Sequence, residues 1–275
     1  MNAQNPMNAT GATNTSPLLD RSALVCGSTQ GIGRACAIEL ARLGASVTLV
    51  GRNDEGLARV LGELPTVEGR PHRTLVVDFA DWRRVREAGE GHVAAHGAVH
   101  VLVNNTGGPA AGPLFDAKPE ELANAFAQHV LSSQVLAQSV ATGMRDAGFG
   151  RIINIVSTSV VTPIPGLGVS NVIRSAMNNW MRTLAWELGP LGITVNNILP
   201  GYTRTARLEA LFKGRAARAG VGIEEIEEGV RKSIPARRLA SAEEIAAVVG
   251  FLASPAAAYV NGVNLPVDGG RLAGQ

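Results

Sequence analysis

Tyrosine is nearly absent from this chain: two of 275 residues, Tyr202 and Tyr259, carry a phenol, and aromatics together make up 4%. Cysteine is equally scarce, with Cys26 and Cys36 alone, too few for a disulfide-stapled scaffold. Without a secretory signal, both are expected as small buried side chains of a soluble, cytoplasmic protein. No apolar run is long enough to span a bilayer, and 45% hydrophobic against 17% charged residues excludes a disordered chain. The net charge is only +2. Its densest basic clusters, Arg83, Arg84 and Arg86, then Arg237 and Arg238, are short. There is no basic stripe and no interleaved aromatics, so neither nucleic acid nor membrane is expected as a partner. No metal is expected either.

What is present is glycine, 32 residues of it, and a regular rhythm. Short β-branched runs at 23–26, 46–50, 74–77, 99–103, 152–156, 194–199 and 263–267 alternate with helical periods at 32–43, 55–64, 82–95, 120–145, 168–188 and 242–253. Near-continuous apolar strands separated by crossover-length helices predict an α/β fold. The form expected is Rossmann-like and doubly wound, a seven-stranded parallel sheet with helices on both faces. Residues 1–20 read as a flexible polar tail and 21–275 as a single nucleotide-binding domain, with a substrate lid near 206–239. Ligands of such a sheet bind beyond the strands' carboxyl ends, so the chemistry is sought just after strands.

The first strand runs into Gly27-Ser28-Thr29-Gln30-Gly31-Ile32-Gly33 and then directly into a helix. Glycines there permit a tight turn and a close backbone approach to a pyrophosphate at the helix's positive end. With strand before and helix after, dinucleotide binding outweighs an ordinary Gly-rich turn. The spacing is Gly-x-x-x-Gly-x-Gly, and at this point the chain resembles the short-chain dehydrogenase/reductase family.

Further landmarks of that family recur in order over about 250 residues of the chain. Asp78-Phe79 follows the third strand, where the family places an Asp beside the adenine. Asn104-Asn105-Thr106-Gly107 resembles its Asn-Asn-Ala-Gly, and Asn154-Ile155-Val156-Ser157 matches the stretch that delivers a catalytic serine. Pro200-Gly201-Tyr202-Thr203-Arg204-Thr205 resembles the loop under the nicotinamide amide. The resemblance thus implies cofactor contacts from Gly27 to Gly33 and from Asp78, Phe79, Asn105, Gly107, Ile155, Pro200, Gly201, Thr203 and Thr205. At the end of the second strand an acidic residue would bind ribose hydroxyls, whereas an arginine would pair with a 2′-phosphate. Arg52 stands there, favouring NADP(H) over NAD(H), against a competing reading in which it merely sits in water. Arg34 is either a second positive group or a solvated one.

The catalytic helix departs from the family. Its Tyr-x-x-x-Lys places both residues on one face, the lysine lowering the phenol's pKa so that it protonates the carbonyl. Thirteen residues beyond Ser157 stands Ser170, with Arg174 in the lysine's place. Neither tyrosine can be shifted into register. At the family's asparagine position stands His129. Ser170 alone is a poor acid, Arg174 can still hold the nicotinamide ribose, and His129 is expected either to titrate near neutrality and feed a proton through Ser170 or water, or to be a helix histidine satisfied by a neighbouring carbonyl.

Two readings follow. In one, an NADP(H)-dependent oxidoreductase reduces a ketone with a non-standard proton donor. In the other, a catalytically degenerate NADP-binding protein acts as a sensor or partner subunit. The overall likeness to the 3-ketoacyl-carrier-protein reductase group implies a β-ketoacyl thioester or similar ketone as substrate. It also implies a homodimer or homotetramer. Arg204, Arg207, Arg215 and Arg218 are candidates to meet an acidic carrier or a carboxylated substrate, unless simply solvated.

Overall fold

The apolar runs become strands β1 (Ser22–Cys26), β2 (Ser46–Gly51), β3 (Arg73–Val76), β4 (Val101–Asn104), β5 (Gly150–Ile155), β6 (Ile193–Pro200) and β7 (Asn264–Val267). In the computed structural model, which describes residues 16–67 and 69–274, they form one all-parallel sheet ordered β3-β2-β1-β4-β5-β6-β7. The order reverses between β1 and β4. Both connections diverge there, so a crevice opens at the strands' carboxyl ends.

Burial on both faces explains why the strands lack polar alternation. Val25, Val47, Val101 and Ile153 pack on one side against helices α1 (Gly31–Arg42) and α9 (Ala242–Ala253). Leu24, Val50, Leu102 and Ile152 pack on the other, below α3 (Trp82–His96), α5 (Ser132–Asp146) and α6 (Gly168–Leu188). Cys26 and Cys36 are free, and burial pushes both thiols up to about 12. They behave as inert core groups. Among the described residues no helix is long and apolar enough to cross a membrane.

Two sequence expectations change. The single helix expected over 120–145 is broken into α4 (Pro119–Phe126) and α5 by a π-helical turn, Ala127–Leu131, that contains His129. The wider turn is held from inside by Ser132, whose hydroxyl donates to Phe79 O at 2.8 Å and reaches Ala127 O at 3.2 Å. Of the tail expected over 1–20, residues 1–15 lie outside the described residues. Residues 16–20 form a turn in which Leu18 is fully buried and its N–H donates to Leu43 O at 2.9 Å. The domain therefore starts before residue 21.

Register brings four asparagines into one row across the sheet: Asn104, Asn154, Asn197 and Asn264 are consecutive Cα partners. Asn104 Nδ2 donates to Asn154 Oδ1, Asn154 to Asn197 and Asn197 to Asn264, each at 2.9 Å. Asn264 closes the row by donating to Asn178 of α6 at 2.7 Å. Each amide satisfies its neighbour, so polar side chains are buried without an orphan. The row fixes the register just where β4 and β5 hand over to the crevice.

Candidate active site

The turn after β1 is built from close approaches. Gly27 and Gly31 lie in the left-handed region, φ +59° and +55°, and a Cβ on Gly33 would stand 2.2 Å from Gly27 O. Asn105, just past β4, clamps this turn by donating from Nδ2 to Cys26 O and Gly27 O at 3.2 Å each. Ser28 is fully buried and its N–H donates to Val50 O at 3.3 Å. Ser28 and Gly33 thus shape the turn from behind, while Gly27, Thr29, Gln30, Gly31 and Ile32 line the crevice itself.

That crevice is a continuous cleft of about 860 Å³. Its glycine cradle, left open at the start of α1, suits a pyrophosphate. Gly107 adds a further open backbone stretch, with nothing within 4 Å of where its Cβ would stand. At one end lie Arg52, Asn53, Asp78 and Phe79. Arg52 is 80% exposed along its side chain and only 3.8 Å from Asp78 Oδ2, a loose ion pair that leaves the guanidinium free to meet a phosphate. Arg59, on α2 (Asp54–Leu61), reaches the same end. Arg34 does not, because it pairs with Glu63.

At the chemical end, Ser157, Ser170 and Arg174 come together on the cleft wall, with Ile155, Pro200, Gly201, Thr203 and Thr205 around them. Ser157 leaves β5 with extended backbone and caps the following turn, its Oγ accepting from Ser159 N at 3.1 Å. The i, i+4 spacing puts Ser170 and Arg174 on one buried face of α6, 6% and 9% exposed. Arg174 Nη1 donates to Ile155 O at 3.0 Å, while its Nε is buried without a partner. Burial first, then nearby Arg207, push its pKa down to about 10. It remains a cation at neutral pH, and one held in a poorly screening environment.

His129 departs from the expectation placed on it. The residue is 2% exposed and does not line the cleft; its Nδ1 hydrogen-bonds Thr106 Oγ1, and Thr106 is the residue that faces the cavity. Burial above all, then the charge of Arg174, push its pKa down to about 2, outweighing the Gly107 carbonyl, which pulls the other way. An imidazole so placed is neutral across physiological pH and stores no proton. What the ring holds is the Thr106 hydroxyl. The sequence carried no signal for this, since the burial depends on the π-helical turn.

The mouth of the cleft is covered by α7 (Ala206–Ala219), which packs with α8 (Ile223–Lys232) through Leu208, Phe212, Val230 and Ile234. Arg207 latches α7 to the opposite rim, donating to Gly108 O and Pro109 O at 2.9 Å each. Arg204 pairs with Glu227 instead, and Arg218 does not reach the cleft. Tyr202, Arg215 and Arg271 complete the lining at this side. Of these, Arg271 gave no sign in the sequence.

Residues 27–271 match a family model described as enoyl-(acyl carrier protein) reductase. The chain is 36% identical over 256 residues to the 3-oxoacyl-[acyl-carrier-protein] reductase FabG of Pseudomonas aeruginosa, covering 92% of this chain and 98% of that one. It is 29% identical to the NADPH-dependent reductase BacG of Bacillus subtilis, with the same coverage. The crystal structure of L-sorbose reductase from Gluconobacter frateurii, complexed with NADPH and L-sorbose, superposes with a TM-score of 0.87 at 30% identity, covering 94% of this chain and 98% of that one.

Proposed function

The chain belongs to the short-chain dehydrogenase/reductase family, and from that premise we propose that it is an NADPH-dependent ketone reductase whose proton donor is not a tyrosine. Family membership makes it an NAD(P)-dependent oxidoreductase. The choice of NADPH rests on Arg52 and Arg59 at the adenosine end, and on relatives and a neighbouring structure that are named for NADPH. The observation that carries the reading is the single cleft joining that end to Ser157, Ser170 and Arg174.

The bound nicotinamide would supply a hydride to the carbonyl carbon. Negative charge then develops on the carbonyl oxygen, and the hydroxyls of Ser157 and Ser170 donate to it. Arg174, a buried cation one helical turn from Ser170, stabilises the same charge, and in a water-poor site such stabilisation is large. The proton comes from solvent and is relayed through the Ser170 hydroxyl, which receives one as it passes one on, so that ketone, hydride and proton yield the alcohol. His129 does not titrate; it orients Thr106. A 3-ketoacyl thioester is within the substrate class, by analogy with the reductase of Pseudomonas aeruginosa. Trp186, 86% exposed, and Val172, 41% exposed, on the outer side of α6 support a homo-oligomer.

Oxidation of NADPH by the purified protein against a panel of ketones and ketoacyl thioesters tests the reading. Turnover with NADPH in preference to NADH is expected. Tight NADPH binding with no turnover on any member would overturn it in favour of a degenerate binding protein.

A further inference from the structure

The substrate side of the cleft holds cations that no carboxylate among the described residues pairs with. Arg215 Nη1 donates to Tyr202 Oη at 3.4 Å, and the Arg271 guanidinium carbon stands 5.2 Å from the centroid of the same ring, in the range of a cation–π contact. Arg271 Nη1 also reaches Thr158 Oγ1 at 3.5 Å, beside Ser157. Among the described residues neither guanidinium is in an ion pair. The nearby carboxylates are engaged elsewhere: Glu209 with Lys213, Glu227 with Arg204, Glu228 with Arg231 and Lys232, and Asp268 with the backbone N–H groups of Gly270 and Leu272. Asp78 is the sole carboxylate among the lining residues, and it lies at the far end, after β3. Leu208, Leu211 and Phe212 form the apolar wall between.

Half-buried arginines at the surface of a cavity usually find a carboxylate of their own chain, because an unpaired charge facing an apolar wall is costly. Two of them held on one tyrosine, without such a partner, are arranged for an anion from outside. Guanidinium forks match the planar or tetrahedral oxygens of carboxylate and phosphate. Resting on the reductase reading, we propose that the substrate is a ketone bearing an oxyanion group, bound by Arg215 and Arg271 over Tyr202, with an apolar stretch against α7 between that group and the carbonyl.

The test compares matched pairs. A keto acid, 5-oxohexanoate, is set against its methyl ester, and a 3-ketoacyl 4′-phosphopantetheine thioester against the neutral N-acetylcysteamine thioester. The wild type is expected to favour the anionic member of at least one pair by about tenfold or more in kcat/KM, the order of one charge-assisted contact. Which pair shows it separates a carboxylate from a phosphate. In Arg215→Ala and Arg271→Ala the ratio should fall toward one through KM, with part of it kept in Arg215→Lys and with NADPH affinity, read by fluorescence, unchanged. No preference for the anion in either pair in the wild type, or equal losses on both members of the preferred pair in the variants, would overturn the proposal. Calorimetry of 5-oxohexanoate and of the 4′-phosphopantetheine thioester binding to the NADP⁺-loaded protein separates it from the reductase reading. Arg215-dependent binding without any turnover sinks only the chemistry, whereas no binding of either anion sinks the anion site.

Discussion

Thr106 Oγ1 and His129 Nδ1 are hydrogen-bond partners, so that a hydroxyl on the cleft wall rests on a fully buried, neutral imidazole. The π-helical turn at Ala127–Leu131 is what carries that imidazole inward. Thr106→Val keeps the shape and removes the hydroxyl partner of Nδ1 on a ring whose Nε2 already has none. A loss of about 1–3 kcal/mol in stability is expected, measured by urea unfolding. Retained wild-type stability would show that the pair does not matter.

Acid should destabilise this protein steeply. Burial is the leading cause in lowering three histidines, His129 to about 2 and His92 and His100 to about 4. Each folded value lies below the unfolded value of about 6.5. The unfolded chain therefore binds protons first as pH falls. The stability these groups contribute is complete above pH 6.5 and is lost on acidification, down toward pH 4 for His92 and His100 and further for His129. Unfolding free energies between pH 6.5 and 4.5 should fall with a slope approaching about 4 kcal/mol per pH unit, three protons at roughly 1.4 each. Replacing His129 by Gln should remove one proton from that slope. A flat profile would contradict the burial assigned here.

The asparagine row makes a second prediction of stability. Asn154 both donates to Asn197 and accepts from Asn104, and it is 1% exposed. Asn154→Leu strands both neighbours in the sheet interior, at a cost of about 2–5 kcal/mol. Asn264→Leu, at the row's outer end, should cost less. Chemical denaturation of the two variants measures the difference, and equal costs would show that the row does not act as a chain.

Cofactor choice is tested at the other end of the cleft. Arg52→Ala should weaken NADPH about ten- to a hundredfold, one to two charge-assisted hydrogen bonds, and change NADH little. Fluorescence titration with both cofactors reads this directly. Equal losses for the two would mean that Arg52 supports the loop rather than meeting a phosphate.

Much of this was legible in the sequence, for physical reasons that differ by element. The central strands are buried on both faces and leave continuous apolar runs, the edge strands β3 and β7 are short and only partly buried, and a helix's fixed i, i+4 geometry set Ser170 and Arg174 on one face. The asparagine row was hidden because its neighbouring members are 43 to 67 positions apart and only strand register aligns them. His129 could be read two ways for a similar reason. Its residue type announces a titration near neutrality, but burial behind Thr106 and the charge of Arg174 decide its actual state. Arg59 and Arg271 approach the cleft from elements far apart in the chain, and an exposed-looking arginine carries no mark of where it will lie.

The most direct test is a single-turnover measurement of NADPH oxidation with an accepted ketone, comparing wild type with Ser170→Ala at saturating cofactor. If Ser170 donates to the developing oxyanion beside the Arg174 cation, the rate constant for the variant should fall about a hundred- to a thousandfold, the range for losing one such donor, with NADPH affinity unaltered. A Ser170→Ala protein that reduces the ketone at the wild-type rate would contradict the assignment of this pair as the replacement for the missing tyrosine.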